Sequence, residues 1–406
     1  MSTSSEAYIT PSVLKWAREK AGFHDVKVAA QKIGRTPEEL TSWENGSGRP
    51  TIAQARKIAE VYKRSLAVFY LPEPPKGFET LRDFRRLRID QPREYSTKLS
   101  VIIRLAEYRK KWLSEWMKAE GSKELDFIGS VTTNTSPNEI AGSIRNALGI
   151  SIRDQIACST RRDALNLWIR CVEFSGINVM RDSSVDLSEA RGFVLSDPFS
   201  PFLFLNSKDA LAGQIFTLVH ELVHLWLNQP GIMNLNEAGH AFSTTDDIIE
   251  VFCNRVTSLV LIDETEFSQS WKLANSNSDI DARIREVSDK YKVSEELIAR
   301  RLLELQIISQ KKYLQLRAYF QERWKQLIAQ DHIKRKDTDG GPSPHLLRVL
   351  KNGRPFTSVV LTSYFQGQIS STEASSLLSA KVNNFEKLSA YLRVPQITLS
   401  ANRAGI

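Results

Sequence analysis

The run GQIFTLVHELVHLWLN, residues 213–228, constrains this chain more than any other stretch. It is apolar enough to be a buried helix, yet it carries His220, Glu221 and His224. Residues four apart lie on one face of a helix, so the two imidazoles project together. Burying that turn with no partner would strand three polar groups. Whatever this chain folds into must place the turn against something that satisfies it.

One Zn²⁺ can be met by two such imidazoles at about 2.0–2.1 Å each. Glu221 then stands beside the metal's open position. There it can take a proton from an attacking water and pass it to a leaving amine. His-Glu-x-x-His is the arrangement zinc peptidases use. A catalytic zinc needs a third protein ligand. The extended motif that supplies a third histidine on the same segment is absent, since position 227 is Leu and position 230 is Pro. A carboxylate from a second apolar helix, expected over 246–262, is the alternative. Glu250 is favoured, with His240, Glu237 and Asp247 as the other candidates; the bland alternative for Glu250 is a surface charge near a helix start. Glu250, Asn254 and Thr257 share a face of that helix, while Ile248, Ile249, Phe252, Val256 and Leu259 can pack. The Asn254 amide is placed to steady a ligand or substrate. Cys253 reads as a small buried hydrophobe.

Composition narrows the setting. Three cysteines with no C-x-x-C pair exclude a disulfide scaffold and a cysteine zinc ribbon. The opening MSTSSEAYIT lacks a basic and an apolar signal region, and no apolar run approaches the roughly 18 residues a membrane helix needs. A reducing, cytoplasmic setting with no membrane contact is expected. A net charge of +8 allows nucleic acid as a partner without requiring it.

Along the chain, residues 8–70 read as short helices broken at Gly22, Gly34, Gly46 to Pro50 and Pro72. Thr36-Pro37-Glu38-Glu39 is a strong helix start. Residues 76–118 hold twelve Lys/Arg against six Asp/Glu, and a helix is expected from about Ser96. GINVM, RGFVLS and PFLFLN predict three short strands just before the histidine helix. The expected fold class is α+β, mainly helical. Its parts are a domain of short helices over 1–75, which the resemblance to known families implies is a helix-turn-helix domain, a basic linker and helix over 76–125, and a zincin-like peptidase core with a small sheet over 126–265. A helical extension over 266–338 and a small C-terminal domain over 339–406 follow.

FTLVHELVHLWL, followed by EVFCN, resembles the ImmA/IrrE-type metallopeptidases. ITPSVLKWAREKAG, WENGSGRPT and IAEVYKRSLAVFY are similar to helix-turn-helix domains of the XRE type, and LRDFRRL matches the segment that often follows them. The resemblance implies a zinc endopeptidase acting on a protein, commonly a repressor, with a gene-regulatory role. His220, His224 and Glu250 would be metal ligands and Glu221 the catalytic acid/base. Some chains with this pairing resemble antitoxins that neutralise a PIN-like nuclease toxin by binding it.

In a helix-turn-helix the second helix reads bases in the major groove. Here that helix opens with Glu38-Glu39, which face phosphate unfavourably. Arg35, Thr36, Thr41, Ser42 and Asn45 are the expected DNA contacts, and Trp43 is expected in the core. A module kept for protein contact or dimerisation is the alternative, and a homodimer is compatible with either.

Overall fold

The computed structural model describes residues 5–62, 64, 66–75, 82–83, 96–228, 231–233, 245–274, 279–335 and 341–392. The chain divides into two units, Met1–Arg82 with Arg88–Glu107, and Asp83–Leu87 with Tyr108–Ile406.

The first unit holds α1 (Pro11–Lys20), α2 (Val26–Ile33), α3 (Pro37–Asn45) and α4 (Ile52–Tyr62). Local chemistry sets their ends. The Lys27 N–H donates to Asp25 at the start of α2, and Thr36 and Glu39 cap α3 reciprocally. Both helices stop at glycines in the left-handed region, Gly34 and Gly46. Their apolar faces bury Leu14, Ala17, Ala30, Ile33, Leu40, Trp43, Ile58 and Tyr62 in one core. Arg18 lies inside it and donates two hydrogen bonds to the Glu44 carboxylate, at 2.8 and 3.0 Å, and one to the Phe23 carbonyl at 2.7 Å. That bidentate pair fastens α1 to the end of α3.

A two-residue strand, β1 (Arg82–Asp83), precedes the long helix α5 (Thr97–Ala119). Most of the basic linker lies outside the described residues. The division between the units falls within α5, after Glu107.

In the second unit α6 (Pro137–Leu148), α7 (Ile152–Ala157) and α8 (Arg161–Phe174) lead into β2 (Asn178–Asp182), β3 (Gly192–Leu195) and β4 (Phe202–Asn206). After α9 (Leu211–Trp226) comes the short β5 (Gly231–Met233), then α10 (Thr245–Leu261). The sheet order is β1-β5-β3-β4-β2, with β2 parallel and β3 antiparallel to β4. Every residue of β3 and β4 is buried, so these strands read as apolar runs without alternation. One face presents Val179, Val194, Leu203 and Leu205 to the core that includes α9. The opposite face carries Phe193 stacked on Phe204, and Phe202 edge-on to Phe356 of a later helix.

Beyond α10 the chain is helical as expected: α11 (Glu264–Leu273), α12 (Ile280–Tyr291), α13 (Glu295–Glu304) and α14 (Gln310–Arg335). Then come α15 (Pro344–Asn352), α16 (Arg354–Phe365), α17 (Ser371–Leu378) and α18 (Phe385–Ala390). The buried Arg109 of α5 donates to the Leu377 carbonyl and to Asn352, which holds α15 and α17 against that helix. One packing expectation fails on α10. Ile248 is 63% exposed, because it lies on the side of the helix away from the core that buries Cys253, Val256 and Val260.

Candidate metal centre

Two elements position α9. At its start the Asp209 carboxylate accepts from the Ala210 N–H and pairs with Arg191 at 2.9 Å, which ties the helix to the head of β3. At its end Asn228 turns into a left-handed conformation and accepts from the Ser196 hydroxyl. Between them every residue from Thr217 to Trp226 is buried. The helical repeat brings His220 Nε2 and His224 Nε2 to 3.0 Å of one another.

α10 packs on α9 and α6 and delivers Glu250. Its Oε2 lies 3.2 Å from His220 Nε2 and its Oε1 3.2 Å from His224 Nε2. Two imidazole nitrogens and both Glu250 oxygens, four donor atoms from three side chains, thus surround one point. A tetrahedral ion with bonds of about 2.0–2.1 Å sets its ligands about 3.3 Å apart. The nitrogens, 3.0 Å apart, and the Glu250 oxygen nearest each, at 3.2 Å, are close to that spacing, and one ligand atom from each side chain falls within 4.8 Å of the others. Hydrogen bonds alone would not satisfy it: two imidazole N–H groups both turned to Glu250 would face each other. Among the described residues this is the group of three His, Cys, Asp or Glu side chains that could hold a metal. Glu237 and His240 lie outside the described residues, as does the side chain of Asp247.

Electrostatics follow the geometry. Burial opposes ionisation of Glu250, but the imidazoles of His220 and His224 outweigh it and hold the carboxyl well below its ordinary range. Glu221 is fully buried, and burial pushes its carboxyl up to about 8, with His224 opposing and Glu250 adding to the rise. Neither Glu221 oxygen has a hydrogen-bond partner among the described residues. A buried acid without a partner, beside two imidazoles, is placed to exchange a proton with a molecule entering the site. Asn254, one turn after Glu250, adjoins His220, though Asn254 Oδ1 and His220 Nδ1 lack a well-formed hydrogen bond.

Two residues enter the site without having been singled out. Gly192 opens β3 on the face toward α9: a β-carbon there would lie 2.4 Å from Thr217 Cγ2 and 3.4 Å from Glu221 Oε1. Thr217 is buried one turn before Glu221, and its hydroxyl has no partner among the described residues. A glycine inside a β-rich run signals close approach of another element, and that was the available clue. Cys253 is indeed buried in the core, but its sulfur also faces His224.

In the first unit Arg35, Thr36, Thr41 and Asn45 are exposed and Ser42 is half-buried. Their polar groups already serve the helix. Arg35 pairs with Glu39 at 3.8 Å, Thr36 caps α3, and Thr41 and Ser42 donate to the carbonyls of Pro37 and Glu39. Asn45 accepts from the Ser47 N–H and hydroxyl.

Residues 172–303 match the family model of the IrrE N-terminal-like domain, a peptidase family, and residues 14–69 match that of the helix-turn-helix. The first match contains both α9 and α10. No curated protein and no solved structure matches the chain.

Proposed function

We propose that this chain, which joins an XRE-type helix-turn-helix domain to an IrrE-like domain, is a zinc-dependent endopeptidase that acts on one protein partner in the cytoplasm and takes part in transcriptional regulation. The observation that carries this reading is the convergence of His220, His224 and Glu250 beside a buried Glu221 that has no partner among the described residues. His220, His224 and Glu250 would hold the zinc, with Asn254 steadying His220. Bound there, zinc supplies a Lewis acid for the scissile carbonyl and makes water a stronger acid. Glu221 takes the proton of the attacking water and delivers it to the leaving amine. The complete burial of Glu221 excludes bulk water and strengthens each charge interaction inside.

The helix-turn-helix is a DNA-binding fold, and it would bring the peptidase to an operator or to a DNA-bound repressor. Selectivity then rests on docking of the partner. Co-expression with the product of the neighbouring gene, followed by intact mass, tests the reading. Wild type is expected to cut the partner, and Glu221→Gln to bind zinc and partner yet cut about 10²–10⁴-fold more slowly. If neither cuts and both neutralise the partner equally, the chain acts on that partner by binding alone, as an antitoxin against a PIN-like nuclease would.

A further inference from the structure

The two histidines differ in what stands behind them. His220 has the Asn254 carboxamide nearby, with no well-formed hydrogen bond at Nδ1 among the described residues. His224 has a sulfur: Cys253 Sγ lies 3.9 Å from its Nδ1, on the side opposite the Nε2 that meets His220 and Glu250. Cys253 is completely buried and sits three residues after Glu250, on the turn of α10 that packs against α9. It is one of three free cysteines among the described residues; Cys158 and Cys171 lie on α7's end and α8, away from this cluster.

A neutral imidazole that turns the Nε2 lone pair toward a cation carries its proton on Nδ1. That N–H is buried with the ring, and a buried donor needs an acceptor. Sulfur is a weak acceptor, but it is large and polarizable and reaches the nitrogen at a distance at which oxygen would make no bond. The same side chain therefore fills the space between α9 and α10 and orients the ring across it.

We propose that Cys253 is a positioning residue of the metal centre: its sulfur accepts a hydrogen bond from His224 Nδ1 and so turns Nε2 toward the ion, while remaining outside the coordination sphere. This rests on the proposal that His220, His224 and Glu250 hold zinc. It extends that proposal by assigning α10 two tasks at one turn, a ligand from Glu250 and the orienting contact from Cys253.

The full-length protein, stripped of metal, is titrated with zinc against a chromogenic chelator. Wild type, Cys253→Ala, Cys253→Ser and the control Cys171→Ala are compared, with unfolding of each apoprotein followed in parallel. Losing an outer partner of a metal-bound histidine typically costs about 10–100-fold in affinity. Cys253→Ala and Cys253→Ser should both lose affinity in that range, the serine oxygen being too far from Nδ1 to replace the sulfur, and Cys171→Ala should match wild type. The Co²⁺ form of wild type should lack a strong thiolate-to-cobalt charge-transfer band. Equal zinc affinity of wild type and Cys253→Ala overturns the positioning role while leaving the metal centre standing. A thiolate-to-cobalt band also overturns it, by making Cys253 a ligand. Should Cys253→Ala not fold, Cys253→Ser and the cobalt spectrum decide. A wild type that takes up no zinc removes the metal centre itself, and the positioning role with it.

Discussion

Gly192 and Glu221 meet face to face across the junction of β3 and α9: a β-carbon on Gly192 would stand 3.4 Å from Glu221 Oε1. That carbon would also lie 2.9 Å from the Phe204 carbonyl oxygen, a backbone atom that cannot turn aside. With Thr217 Cγ2 of α9 only 2.4 Å from it as well, Gly192→Ala pushes β3 away from both β4 and α9. Overpacking of this kind costs typically about 1–3 kcal/mol. A lower urea midpoint is expected, together with weaker zinc binding, because the shift moves the turn that carries His220. An unchanged midpoint and zinc affinity would show that the strand yields without disturbing the centre.

Metal removal should be visible as lost stability. A ligand that binds only the folded state at a hundred times its Kd adds about 2.7 kcal/mol. Chelation by EDTA should lower the Tm of wild type and leave that of His220→Ala or Glu250→Ala unmoved. Metal analysis should find zinc in wild type near one per chain and none in His220→Ala. Full zinc affinity in Glu250→Ala would remove Glu250 from the ligand set.

Glu173, at the end of α8, gives a pH signature remote from the candidate metal centre. Burial pushes its carboxyl from the ordinary 4.5 up to about 7, against the pull of Arg354 and Arg181. The folded state keeps the proton where the unfolded chain has already lost it. Stability contributed by this group is thus fully present below about pH 4.5 and is lost as pH rises toward about 7. The loss amounts to about 3 kcal/mol at most. Glu173→Gln cannot lose a proton there. Its stability relative to wild type, read from urea midpoints, should rise between pH 5 and pH 8. A pH-independent difference would place the carboxyl in its ordinary range.

DNA binding by the first unit should weaken steeply with salt, since phosphate contacts release counterions. Arg35→Ala should weaken binding to all sequences alike, and it also frees Glu39 of its partner. Changes at Thr41 or Ser42 should alter sequence preference if these side chains leave their helix carbonyls to meet bases. Gel shifts with the chain's own promoter at two salt concentrations measure both effects. No shift at low salt would assign the module to protein contact.

Several features needed nothing beyond local chemistry. The capping residues Thr36 and Glu39 announce α3, and Gly34 and Gly46 end α2 and α3 where expected. The histidine helix α9 starts two residues before the apolar run 213–228 and stops two residues before its end, because the run and its stop near Asn228 are both local. Ile248 went the other way: on periodicity alone it belonged with the packing residues, and only the docking of α10 turned it outward.

Sequence by itself determined that His220 and His224 share one face of a buried helix with Glu221 beside them. Their spacing within a single element is set by the helical repeat, which any window of this chain reveals. Tertiary structure decided the rest of the centre. It brought Glu250 to 3.2 Å from both imidazoles, set the Cys253 sulfur behind His224, and laid Gly192 against Glu221. These residues lie 26 or more positions from the histidine they meet or, for Gly192, on another element altogether. Their distances depend on how α9 packs against α10 and β3, and that packing follows from the whole apolar core rather than from any one segment.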